Sequence, residues 1–180
     1  MHRHMLIGAA ASLALSGATA VAAEFSARYS GFQELGALNN ETGAILSDGK
    51  GTLFLDLDKS ARTLSFELTY SGLSSPVTQS HIHFAKVHVP GGIIVFFCSN
   101  LAGAPTGTQP CPANGGTVHG TITAGNVLAI AGQNVTAGDF DALADVLTSD
   151  SAYGNIHTTK FPAGEIRGQI HSRDKHDDGD

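Results

Sequence analysis

Behind an apolar leader, the chain runs as short stretches in which apolar residues alternate with polar or small ones, punctuated by Gly, Asn, Asp, Ser and Pro. A period of two with that punctuation predicts antiparallel β-strands. The clearest runs are Glu24 to Tyr29, Gly51 to Asp58, Thr63 to Ser71, Gln79 to Phe84, Ile93 to Cys98, Thr117 to Thr123 and Glu165 to His171. Strands of this number and length predict an all-β fold, an antiparallel Greek-key sandwich or barrel. Asp58-Lys59-Ser60-Ala61 predicts a hairpin turn between two of them. One segment departs from the pattern. Thr136 to Asp139 has the form of a capping box, and Phe140, Leu143, Ala144 and Leu147 follow at helical spacing, so one short amphipathic helix is expected from about Ala137 to Thr148.

The leader adds an address. Arg3 and His4 precede an apolar stretch from Met5 to Leu15 and then the small residues Ser16 to Ala23, the three parts of a secretory signal, cleavable after Ala23 or Ala20. The apolar core is well short of the ~20 residues that a membrane-spanning helix needs, so no permanent anchor is expected, and no Cys follows either cleavage point to accept a lipid. The expected organisation is a signal peptide over 1–23, one domain over 24–171, and a tail over 172–180 that has no apolar residue and is expected to be disordered. With the leader removed, 9 Lys and Arg stand against 16 Asp and Glu. That balance does not suggest a phosphate-binding surface, and no nucleic-acid partner is expected. Cys98 and Cys111 flank a loop rich in Gly, Pro, Thr and Asn. In an oxidising compartment they most simply form a disulfide. The alternative, a thiolate metal or redox site, lacks CxxC spacing.

The candidate chemistry lies in the histidines. Residues two apart in a strand share a face, so with Ile82 in the core His81 and His83 point outward together. Their Cβ atoms would be roughly 6–7 Å apart, a separation from which two imidazoles can converge on one metal ion. The same parity turns His119 outward beside Val118 and His157 outward beside Ile156. Whether the strands that carry them are neighbours does not follow from spacing, and ordinary surface or hydrogen-bonding histidines remain the alternative. His88, beside Pro90-Gly91-Gly92, is expected in a loop, and His171 follows the last strand. Glu165, Arg167 and Gln169 share the face opposite Ile166 and Ile170. Glu165 can pair with Arg167 or a neighbouring strand, or support a histidine as an acceptor; a solvated charged face is the plainer reading. GxSxG, a Walker-type phosphate loop and HExxH are all absent.

The HIH run from His81 through Gly91-Gly92 to Phe97, and Tyr153-Gly154-Asn155-Ile156-His157-Thr158 leading into Phe161-Pro162-Ala163-Gly164-Glu165-Ile166-Arg167-Gly168-Gln169-Ile170, resemble the CHRD family, named after chordin. The resemblance covers about Phe25 to Ile170. It implies a secreted, immunoglobulin-like β-sandwich, found in bacterial exported proteins and as repeats in chordin, which binds extracellular growth factors, and it implies no settled biochemical activity. Where the family usually has a Glu-Pro-Pro-like stretch, Gln33-Glu34-Leu35-Gly36-Ala37-Leu38 stands here, and the long Cys-flanked loop looks like an addition. A weaker likeness to copper/zinc superoxide dismutase would match His81 and His83 to its copper pair, although the electrostatic-loop arginine and the zinc-ligand pattern of that enzyme are not recognisable.

The sequence thus leads to a periplasmic or secreted CHRD-domain binding protein, not an enzyme of a standard class. Its expected site is a copper or zinc ion on His81, His83 and His157, with His119 as an optional fourth ligand and Glu165 as a supporting acceptor. Metal binding is expected to fail as pH drops through ~6.5. Two alternatives stand beside it. One is a superoxide dismutase-like copper redox enzyme; the other is a structural or adhesive module without metal, whose Glu165/Arg167 face meets an extracellular protein partner.

Overall fold

The computed structural model describes residues 22–35 and 43–173. Nearly all of the expected signal peptide, the Gly36-Ala37-Leu38 stretch and the tail from 174 onward lie outside the described residues. The described residues form nine strands, β1 (Ala23–Ser30), β2 (Lys50–Asp58), β3 (Thr63–Ser71), β4 (Val77–Phe84), β5 (Gly92–Ser99), β6 (Gly116–Ile122), β7 (Ala152–Thr158), β8 (Ile166–Gln169) and β9 (His171–Ser172), with one α-helix, α1 (Phe140–Thr148), before β7. All pairings are antiparallel, in the order β5-β4-β7-β8-β1-β2-β3-β6, and β9 pairs with β1.

This single sheet is nearly closed into a barrel, one of the two all-β architectures expected. The open seam lies between β5 and β6. Gln109 spans it, its Nε2 donating to the carbonyls of Phe97 on β5 and His119 on β6 at 3.3 and 3.1 Å. The loop that carries Gln109 is fastened by the Cys98–Cys111 disulfide. Inside, Leu53, Leu55 and Leu57 of β2 and Leu64, Phe66, Leu68 and Tyr70 of β3 are buried at alternate positions. Phe66 reaches across to Phe97, with ring centroids 4.7 Å apart. The predicted turn joins β2 and β3, with the Asp58 carboxylate accepting from the Ala61 amide at 2.8 Å.

Helix α1 adds Phe140, Leu143, Ala144, Val146 and Leu147 to the same core. It starts later than the spacing suggests. Asp139 is the N-cap, accepting from the Ala142 amide at 2.9 Å, because Gly138 has a φ of 82° and takes the backbone off a helical path. The expected last strand is likewise divided, since the Ile170 amide turns to the carbonyl of Ala152 between β8 and β9. Gly154 and Gly168 face each other across β7 and β8, and a Cβ on either would run into the Tyr29 side chain.

Candidate metal centre

Strands β4, β7 and β8 do not alternate between wet and dry. Ile82, Ile156 and Ile166 face the core, and the opposite face carries His81 and His83 of β4, Tyr153, Asn155 and His157 of β7, and Arg167 and Gln169 of β8. Parity places the histidines on one face, as expected, yet that face is not outward. His81, His83 and His157 are 1%, 8% and 7% exposed. Three segments hydrogen-bond over them. Arg167 Nη2 donates to the carbonyls of Lys86 and Val89, and Gln169 Nε2 to that of Ala85. Asn155 Nδ2 donates to the Glu34 carboxylate, and the carbonyl of Pro162 receives His157. The Glu165/Arg167 face is buried too, which corrects the solvated reading.

Two register shifts in the β4–β5 pairing, between Ser80 and His81 and between Ile82 and His83, are bulges of the kind that re-aim side chains. The ring centroids of His81 and His83 lie 4.7 Å apart and those of His81 and His157 4.6 Å. One potential ligand nitrogen from each of the three lies within 4.8 Å of the others. His81 meets the Phe96 ring edge-on at 4.8 Å. His83 stacks on Tyr153 at 4.6 Å, almost parallel, with the Arg167 guanidinium 3.3 Å over the Tyr153 ring.

Hydrogen bonds fix the tautomers. His83 Nδ1 is 2.8 Å from the carbonyl of Gly91, and His157 Nδ1 is 2.9 Å from that of Pro162. A carbonyl only accepts, so both rings carry their proton on Nδ1 and leave a lone pair on Nε2. His157 Nε2 and both ring nitrogens of His81 are buried without a hydrogen-bond partner. His83 Nε2 lies 3.2 Å from Asn155 Oδ1. Burial is the main force keeping the rings neutral: it lowers the His81 pKa well below the ordinary value, with the His157 and His83 rings adding to the effect. It lowers His83 to about 4 and lowers His157 in the same direction. Three neutral imidazoles with unengaged lone pairs fit a transition-metal ion.

The other expected site residues lie elsewhere. His119 is exposed on β6, opposite Glu67 of β3, and does not join the three. Glu165 accepts no bond from a histidine: its carboxylate takes Ser47 Oγ at 2.6 Å, Thr158 Oγ1 at 2.7 Å, and the amide and Oγ of Ser74 at 2.8 and 2.9 Å. Burial would raise its pKa, but those four bonds outweigh burial and hold it below the ordinary value. His88 occupies an exposed loop at a φ of 59°, and His171 is exposed, 3.9 Å from Asp150.

Two residues that the sequence reading did not single out belong to this layer. Asn155 precedes His157 by two positions and so shares its face; strand parity carried that signal. Glu34 is buried, accepts from the Leu35 amide at 2.9 Å and from Asn155 Nδ2 at 3.5 Å, and lies where a Cβ on Gly164 would stand. Only its place in the stretch that departs from the Glu-Pro-Pro pattern hinted at it.

The family model of the CHRD domain matches residues 25–170. The chain belongs to the CHRD family. No curated protein and no solved structure matches it. Within this CHRD domain the motif residues divide by task. Gly154 and Gly168 make room for Tyr29, Gly164 makes room for Glu34, and Glu165 ties the Ser47 and Ser74 loops to β7. His81, His83 and His157 form the cluster able to hold a metal. Among the described residues no helix is long and apolar enough to cross a membrane.

Proposed function

We propose that this CHRD domain is an exported binding module that holds one copper or zinc ion on His81, His83 and His157. The observation that carries the reading is the set of buried, partnerless ring nitrogens on His81 and His157 beside His83. Leaving such groups unpaired costs about 1–3 kcal/mol each, and a bound ion would recover that cost. Export is supported by the leader's composition and by the Cys98–Cys111 disulfide, which suits an oxidising compartment. The near-complete burial of the three rings favours holding a metal over turning over a substrate, since a catalytic ion needs an open position.

The test is titration of the purified protein with Zn(II) and Cu(II). Wild type is expected to bind one equivalent, and the double variant His81→Ala/His83→Ala to bind none with comparable affinity. Equal affinity in the two proteins would remove the site.

A further inference from the structure

Asn155 is the Cα partner of His81 across β4 and β7 and is buried. Its Nδ2 donates to Glu34 Oε2 at 3.5 Å, which turns Oδ1 toward His83 Nε2, 3.2 Å away. The His83 proton is already on Nδ1, given to the carbonyl of Gly91. Two acceptors therefore face each other in a dry site. Turning the amide over would relieve this contact and set Oδ1 against the Glu34 carboxylate. A cation between Nε2 and Oδ1 satisfies both lone pairs and leaves the Glu34 contact intact. The separation suits it: two ligands at ~2.0–2.1 Å from a tetrahedral ion stand ~3.3 Å apart.

We propose that Asn155 Oδ1 is the fourth ligand of the centre, that Glu34 is the positioning residue for its amide, and that the ion is divalent, of the zinc class. The proposal rests on the three-histidine reading. An amide oxygen is a hard donor, which Zn(II) accepts and soft Cu(I) does not favour. Four protein ligands also close the coordination sphere, as structural zinc sites do.

The experiment compares Zn(II) and Cu(I) affinities of the full chain as wild type, Asn155→Ala, Glu34→Gln and His157→Ala. Asn155→Ala is expected to lower zinc affinity about 100-fold while leaving Cu(I) affinity within a few-fold. Glu34→Gln keeps every ligand yet frees the amide to turn over, and is expected to lower zinc affinity about tenfold; it carries the test if Asn155→Ala does not fold. Unchanged zinc affinity in Asn155→Ala or Glu34→Gln, with loss in His157→Ala, overturns the fourth ligand and leaves the three histidines standing. A wild type that binds neither metal overturns both.

Discussion

The rings of His81 and His157 lie with centroids 4.6 Å apart, delivered by different strands, and neither the two nitrogens of His81 nor Nε2 of His157 has a hydrogen-bond partner. Three partnerless ring nitrogens gathered at the centre of a buried polar layer are costly as a purely structural device. That imbalance separates binding from folding in a measurable way.

In the metal-free protein, His81→Leu is expected to raise stability by about 1–3 kcal/mol, because it removes two unsatisfied buried nitrogens and leaves an apolar side chain beside Phe96. The same variant is expected to lose the rise in melting temperature that zinc gives wild type. Urea unfolding in the presence of a chelator, repeated with zinc, reads both effects. Destabilisation of the metal-free variant would mean that the ring nitrogens have partners in solution.

Stability of the metal-free protein is expected to fall with acid. The three histidines have folded-state pKa values below the ordinary one, His83 at about 4. Between pH ~6.5 and that value the unfolded chain binds more protons than the folded one, so stability is full above ~6.5 and is lost as pH drops toward 4. His83 alone contributes roughly 3 kcal/mol to this loss. Proton competition with a metal should move the same way, so binding persists below the ~6.5 expected of ordinary histidines. Chemical denaturation at half-unit pH steps checks the sign; a flat profile from pH 7 to 5 would contradict it.

Glu165→Gln is expected to cost about 2 kcal/mol, since one carboxylate gathers Ser47, Ser74 and Thr158. Its metal affinity should stay within a few-fold of wild type, because none of its bonds reaches a histidine. Paired denaturation and zinc-binding curves distinguish this outcome from a role in supporting the site, which would lower affinity as well.

Reducing the Cys98–Cys111 disulfide is expected to remove about 3 kcal/mol of stability and to loosen the seam that Gln109 spans between β5 and β6. Hydrogen exchange should then accelerate first in residues 92–99 and 116–122, with residues 50–71 unchanged. Uniform acceleration would show that the loop does not act as a local clasp.

The parts of this structure legible in the sequence are those governed by one wet and one dry face. In β2 the alternation of Leu53, Leu55 and Leu57 with Thr52 and Asp56 reports the core directly, with exposed Phe54 the exception. On β4 and β7 the same period correctly placed His81 with His83, and it gave the wrong environment. The cover over that face comes from Glu34, the loop through Lys86 and Val89, and Pro162, all on segments outside the two strands and invisible to a local period. The convergence of His157 with the HIH pair depends on β4 pairing with β7, and His119 stays apart because β6 pairs with β3. Asn155 was hidden for a chemical reason: a neutral amide has many roles, and only its contacts with His83 and Glu34 select one.

The most direct test follows the imidazole nitrogens themselves during a zinc titration, by 15N NMR of the full chain. Nε2 of His83 and of His157 and one ring nitrogen of His81 are expected to shift together and saturate at one equivalent, while exposed His119 and His88 do not move. Saturable shifts confined to the exposed histidines, or no shift at all, would contradict it.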